Sequence, residues 1–228
     1  MPSIAIVGAG PRLGLAVART FGSHGFDVAL ISRSRDKLDG LVGELTAEGI
    51  TAAAFPADVL DREALAQALK NAATRFDGID VLEYSPAGSL GSTPPTTPTG
   101  TRPSSVANEM SFLLHSAITA TQAVLPAMRE ASAGTLLYTT GAGSVSPVPR
   151  AAHAGAAAAA LRNWAMNLHK KLAGSGIQAA HVAPRRDDRH VLLLRSADGH
   201  GRPDLAPLLG PAHHTPRRGR ADLPGLTV

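Results

Sequence analysis

The chain of 228 residues has no cysteine. That excludes a disulfide framework, thiolate zinc sites, iron–sulfur ligation and a cysteine nucleophile. No apolar run reaches the roughly 18 residues that a membrane span needs. The opening segment Met1 to Gly10 lacks a basic n-region and runs straight into a glycine loop. It reads as a first strand and not a signal peptide, so a cytoplasmic protein is expected. No Ser sits in a Gly-x-Ser-x-Gly elbow, no His-Glu-x-x-His helix is present, and the pair His213–His214 has no partnering ligand set, so no metal is expected.

What is present suits a soluble globular protein: 44% hydrophobic and 18% charged residues. The length allows one domain or two small ones and supports an α/β core without staples. The net charge of +4 is unevenly placed. Residues 185–228 hold eight Arg and five Asp, whereas the first 184 residues carry fourteen Lys+Arg against thirteen Asp+Glu. The body is nearly neutral, which argues against a nucleic-acid partner.

Apolar periodicity alternates strand and helix along the body. Strands are expected at Ser3–Val7, Phe26–Ser32, Thr51–Pro56, Ile79–Tyr84, Gly134–Thr140 and Ile177–Ala183. Helices are expected at Leu13–Phe21, Arg35–Gly49, Arg62–Phe76, Met110–Glu130 and Ala152–Ala173. This pattern predicts an α/β, Rossmann-like, doubly wound parallel sheet in three layers with right-handed crossovers. Residues 1–184 form the nucleotide-binding domain in this reading. Ser85–Ser105, rich in Pro, Thr, Ser and Gly, follows a strand's carboxyl end, where open α/β sheets bind ligands. It reads as a substrate lid or as a plain surface loop.

Residues 185–228 change vocabulary. They contain no Lys, Glu or aromatic residue, but eight Arg, five Pro and four His. Only Val191–Leu194 and Leu205–Leu209 offer an apolar run. A genuine divergent tail, disordered in character, and the product of a shifted reading frame in a GC-rich gene both fit this mixture.

The segment Ile4-Ala5-Ile6-Val7-Gly8-Ala9-Gly10-Pro11-Arg12-Leu13-Gly14 reads as strand, glycine loop and helix start. Glycines allow a tight turn and close backbone approach, and the amides at the helix N-terminus then face a pyrophosphate. Gly8, Gly10, Arg12, Leu13 and Gly14 are the candidate cofactor contacts. The end of the second strand meets the adenosine ribose in such folds. An acid there would accept from a 2′-hydroxyl, but this chain has Ser32-Arg33-Ser34-Arg35. A guanidinium beside a hydroxyl suits a 2′-phosphate, so NADP(H) is favoured over NAD(H); solvated surface charge is the alternative reading of Arg33 and Arg35.

On these residues the chain resembles the short-chain dehydrogenase/reductase family, from Ile4 to about Pro184. Val7–Gly14 matches the family's TGxxxGxG with Gly8 and Gly14 in place, and Arg33 matches the basic residue of its NADP-preferring members. Ala57-Asp58-Val59 matches the Asp-Val that contacts adenine, which adds Asp58 and Val59 to the candidate cofactor contacts with Ser32 and Arg33. Thr121–Met128 follows the family's fifth-helix ending, and Ala159-Ala160-Leu161-Arg162 with Gly176–Pro184 parallels its sixth helix and strand. The resemblance implies hydride transfer between NADP(H) and a carbonyl or alcohol substrate. It also implies a homodimer or homotetramer built on the fifth and sixth helices.

The departures fall on the chemistry. Arg12 stands where the family has its middle glycine, where it either crowds the pyrophosphate or binds it. Glu83-Tyr84-Ser85-Pro86 replaces the family's NNAG. By the resemblance, the Tyr, Lys, Ser and Asn slots of the active site fall at Ala154, Ala158, Gly141 and Leu113. Alanine moves no proton. Thr139 or Thr140 could offer a hydroxyl to a carbonyl, and His153, beside the Tyr slot, or His115 could transfer a proton; for both histidines a packing or surface role is the plainer reading. Glu83 reads as structural. Three functions follow as expectations: an NADP(H)-dependent reductase with unusual residues, a non-catalytic NADP(H)-binding sensor or partner-binding subunit, and a damaged product that keeps the body of an oxidoreductase.

Overall fold

A computed structural model describes residues 1–87 and 96–183. The proposed tail at 185–228 and the middle of the proposed lid, 88–95, lie outside the described residues. Six parallel strands, β1 (Ser3–Val7), β2 (Asp27–Ser32), β3 (Ala52–Pro56), β4 (Val81–Tyr84), β5 (Gly134–Thr139) and β6 (Ile177–Val182), form one sheet in the order β3-β2-β1-β4-β5-β6. The helices are α1 (Leu13–Ser23), α2 (Arg35–Ala47), α3 (Arg62–Phe76), α4 (Pro103–Met110), α5 (Ser116–Ala131) and α6 (Ala152–Leu172).

Alternating side chains along each strand feed two cores, as the two-residue period of a pleated strand requires. Ile4, Ile6, Val28 and Leu30 pack with Leu15, Phe21, Leu38 and Leu45 of α1 and α2. Ala5, Val7, Leu82 and Leu136 pack on the opposite face with Leu65, Leu69, Val124 and Leu161 of α3, α5 and α6. Central strands covered on both faces read as unbroken apolar runs, which is why β1 is buried at every residue. Local chemistry marks the ends of the helices. Ser34 Oγ accepts from Lys37 N at the start of α2, and Asp61 Oδ1 accepts from Ala64 N (3.0 Å) at the start of α3. α3 stops where Asp77 turns left-handed (φ 57°).

The expected strands and helices are present within a few residues of their predicted ends, with one correction. The single helix expected over Met110–Glu130 begins earlier, at Pro103, and is interrupted by a π turn over Ser111–His115. Pro103 at N1 fixes the start. The last residues of the expected loop Ser85–Ser105 therefore belong to α4. β1 and β4 are neighbours whose following helices pack on opposite faces of the sheet, the switch in strand order at which folds of this kind place a ligand crevice.

Candidate functional site

The floor of that crevice is the β1–α1 turn. Gly8 adopts φ +94°, and a Cβ there would lie 2.5 Å from the Pro86 backbone. A Cβ on Gly14 would lie 2.9 Å from Ala9 Cα, so this glycine lets α1 close onto the turn. Gly10 is different: the nearest atom to a Cβ is 4.0 Å away, and it faces open space. The amides of Gly8 and Ala9 both donate to Ile31 O (2.9 and 3.0 Å), which ties the turn to the end of β2. α1 begins after Arg12 with no side-chain cap and no acid in its first turn. Leu13 stands exposed beside Arg12.

At the end of β2, Ser32 is half-buried and its carbonyl accepts from Ala57 N (3.0 Å). Arg33 is exposed and makes no side-chain ion pair or hydrogen bond among the described residues. Arg35, the second candidate arginine, is turned away onto Asp39, with Nε 2.8 and 2.9 Å from the two carboxylate oxygens. After β3, Asp58 Oδ1 caps its own turn by accepting from Leu60 N (3.0 Å), and Val59 is buried. The candidate cofactor residues are therefore gathered along the carboxyl ends of β1, β2 and β3. A turn that demands glycine at Gly8 and Gly14, an open face at Gly10 and an unpaired cation at Arg33 together fit a phosphorylated dinucleotide.

The other half of the crevice, above β4, β5 and β6, has a different chemistry. Ala154 is half-buried and Ala158 buried in α6, and Leu113 lies on the π turn. The chain's two tyrosines are both in the core. Tyr84 donates to Phe112 O (3.0 Å), and the Tyr138 hydroxyl lies 2.6 Å from Thr121 Oγ1. Burial pushes both phenols well above their ordinary range. The lysines, Lys37, Lys70, Lys170 and Lys171, sit on α2, α3 and the last turn of α6. No tyrosine or lysine is placed to move a proton above β4–β6.

Thr140 is buried at the end of β5 in a directional array. Ser144 Oγ donates to Gly141 O (2.9 Å), and Thr140 Oγ1 donates to Ser144 Oγ (2.9 Å). The 2.8 Å contact between Thr140 Oγ1 and His181 Nε2 is then a bond that the imidazole donates. Burial, with the nearby Arg162 charge second, pushes the His181 imidazole down to about 4, so it is neutral at pH 7. Thr140 is engaged on three sides and lies inside the fold, not at an open surface.

His153 is fully buried at the start of α6, which excludes its surface reading. Its Nδ1 lies 2.9 Å from Thr96 Oγ1, and Ala152 N donates to Thr96 O (3.1 Å). Glu109 Oε1 lies 3.9 Å from Nε2. His153 thus clips the far end of the 85–105 segment onto α6. His115, on the π turn, is exposed, with Nδ1 3.4 Å from Arg62.

Glu83 was read from the sequence as structural; the structure makes it the most perturbed carboxyl among the described residues. It is buried at 2% exposure and receives hydrogen bonds from Ser85 Oγ (2.7 Å) and Thr139 Oγ1 (2.9 Å). Burial pushes its carboxyl up to about 7, against the pull of both hydroxyls. The sequence signal was a lone acid inside the apolar strand VLEY. His181, in the strand IQAAHV, carried the same kind of signal and was passed over.

Residues 2–186 match the model of the short chain dehydrogenase family. An uncharacterized oxidoreductase of Staphylococcus aureus (strain N315) is 28% identical over 186 residues, covering 82% of this chain and 78% of its own. In fold, the chain is similar to L-sorbose reductase from Gluconobacter frateurii complexed with NADPH and L-sorbose. That likeness has a TM-score of 0.73 and 21% identity over 80% of this chain and 68% of the other. It is similar also to actinorhodin polyketide ketoreductase with NADPH, at TM-score 0.74 and 24% identity over 80% and 69% of the two chains. The strand order, the glycine turn and the family match over most of the chain agree: this protein belongs to the short chain dehydrogenase family.

Proposed function

We propose that this oxidoreductase-family chain binds NADP(H) across the carboxyl ends of β1, β2 and β3, with Gly8, Gly10, Leu13 and Gly14 along the phosphates. Ser32 and Arg33 receive the 2′-phosphate, and Asp58 and Val59 border the adenine. The observation that carries this reading is Arg33, an exposed guanidinium at the end of β2 without a partner among the described residues; such a group suits a bidentate hydrogen bond to phosphate. When bound, the cofactor supplies a hydride for a carbonyl substrate or receives one from an alcohol. The chain's own contribution is to hold and orient the dinucleotide.

A second reading, an NADP(H)-binding sensor or partner-binding subunit without turnover, is favoured by one observation. Both tyrosines are locked in the core, and Ala154 and Ala158 stand on α6 at the positions from which the resemblance expects proton transfer. A homo-oligomer built on α5 and α6 is part of either reading.

Calorimetric titration with NADPH and then NADH separates these readings from no binding at all. Tight NADPH binding with much weaker NADH binding is expected. Oxidation of bound NADPH in the presence of a panel of aldehydes and ketones then supports the reductase, and its absence across the panel supports the sensor. Failure of both nucleotides to bind overturns both readings.

A further inference from the structure

The β1–α2 half of the molecule contains the arginines Arg12, Arg19, Arg33 and Arg35. Two of them are satisfied. Arg19 is held by Glu44 (3.1 Å) and Glu48 (2.6 Å), and Arg35 by Asp39 (2.8 Å). The side chains of Arg12 and Arg33 make no ion pair or hydrogen bond among the described residues. These two are the ones at the carboxyl ends of β1 and β2, and the bonds from Gly8 and Ala9 to Ile31 O stitch their two segments together.

Arg12 also breaks a local rule. It occupies the N-cap of α1, where the helix dipole presents partial positive charge and where Ser, Thr, Asp or Asn is the usual residue. It offers no side-chain cap, and no acid in the first turn offsets it. A cation at that place is unfavourable unless an anion shares it. The backbone there has a negative φ, −112°, so Arg12 does not stand at a left-handed position that favours glycine. Gly10, two residues earlier, leaves open space before it.

Resting on the NADP(H) reading above, we propose that Arg12 is a phosphate ligand. It holds the cofactor's pyrophosphate while Arg33 holds the 2′-phosphate, so that two arginines clamp the dinucleotide across the ends of β1 and β2. Arg12 then supplies by a side chain what a glycine at that place supplies by backbone approach. Because the pyrophosphate is common to both nucleotides and the 2′-phosphate is not, the two arginines have separable signatures.

The test is calorimetric titration of the full-length protein and its Arg12→Gly, Arg12→Lys and Arg33→Ala variants with NADPH and NADH, with circular dichroism as the folding control. Arg12→Gly is expected to weaken NADPH and NADH by the same factor, roughly tenfold or more, since a charge-assisted bond is lost. Arg12→Lys should keep part of the affinity for both. Arg33→Ala should weaken NADPH alone. Unchanged or tighter binding by folded Arg12→Gly overturns the clamp, because Arg12 is then idle or obstructive. A loss confined to NADPH overturns the pyrophosphate assignment. Wild-type protein that binds neither nucleotide overturns the cofactor reading itself, whereas wild-type binding with an unaffected Arg12→Gly removes the clamp and leaves that reading standing.

Discussion

The two halves of the crevice differ in what their polar groups do. At the ends of β1 and β2, Gly8 and Gly14 are fixed by packing and the charged groups are left outward: Arg12 and Arg33 have no partner among the described residues, and Gly10 faces space. At the ends of β4, β5 and β6, the polar groups are turned inward and bonded to each other: Glu83 to Ser85 and Thr139, Thr140 to Ser144 and His181, His153 to Thr96. The first half keeps charge available to a ligand. The second uses its polar side chains to satisfy the interior. Within one fold, therefore, the two ends of the sheet are under separate constraints: one leaves its cations outward, and the other bonds its polar groups to one another.

The sharpest way to break this comparison is at the turn itself. Gly8→Ala places a Cβ 2.5 Å from the Pro86 backbone at a φ of +94°, combining steric overlap with left-handed strain. It should cost ~3–4 kcal/mol of stability, measured by urea denaturation. Gly10→Ala, with 4.0 Å of clearance, should lie within about 0.5 kcal/mol of wild type. Equal losses from the two substitutions would show that the turn is not divided into a packing glycine and a ligand-facing one.

Glu83 gives the next largest effect, and its sign follows from linkage. Its folded-state pKa, about 7, is raised above the ordinary carboxyl value of 4.5. Its stabilising contribution is therefore fully present below about pH 4.5 and is lost as pH rises through about 7. Glu83→Gln keeps an acceptor for one of the two hydroxyls, leaves the other to turn and accept from the amide N–H, and removes the buried charge. At pH 8 it should be more stable than wild type by about 2–3 kcal/mol, since each pKa unit is worth ~1.4 kcal/mol. At pH 4.5 the two should be nearly equal. His181 acts in the opposite sense: its depressed pKa, about 4, gives stability that is present above about pH 6.5 and lost as pH falls through 4. A Glu83→Gln protein with an unchanged pH profile between 5 and 8 would remove the charged-interior account of this half.

The legibility of these two halves in the sequence differs for a physical reason. β1 was readable because a central strand covered on both faces must be continuously apolar, and the glycine loop because a tight turn at Gly8 admits nothing larger. α2 and α3 were legible from their apolar spacing, and the caps Ser34 and Asp61 fix where they begin. Those are local constraints, and local constraints leave a local trace. The π turn at Ser111–His115 left none: it depends on how α4 and α5 pack against the body, and periodicity alone joined them into one helix. Thr140 and His181 are 41 residues apart in sequence, and Thr96 and His153 are 57 apart, so no spacing rule could pair them. Arg33 and Arg35 looked alike in sequence; only the i,i+4 placement of Asp39 separates them.

That difference between the arginines makes a finer test. Arg33→Ala should change stability by less than about 0.5 kcal/mol, as an exposed residue without a partner among the described residues. Arg19→Ala removes solvent-screened contacts to Glu44 and Glu48 and should change stability little. Only the former should alter NADPH affinity.

The most local comparison is between Thr139, the last residue of β5, and its neighbour Thr140, whose side chains have separate partners: Glu83 for the first, Ser144 and His181 for the second. Thr140→Val removes the acceptor of His181 Nε2 and the donor to Ser144, leaving a buried N–H without a partner, at about 1–2 kcal/mol of stability. Its cost should be the same at pH 7 and pH 8, since His181 is already neutral there. Thr139→Val removes a hydrogen bond that favours ionised Glu83, so it should move the Glu83 transition to still higher pH. Its stability loss should then be larger at pH 8, where the carboxyl is charged, than at pH 5, where it is protonated. If both substitutions show the same pH dependence, the two sets of partners at the β5 terminus are coupled, and the polar interior over β4–β6 acts as a single network instead of two.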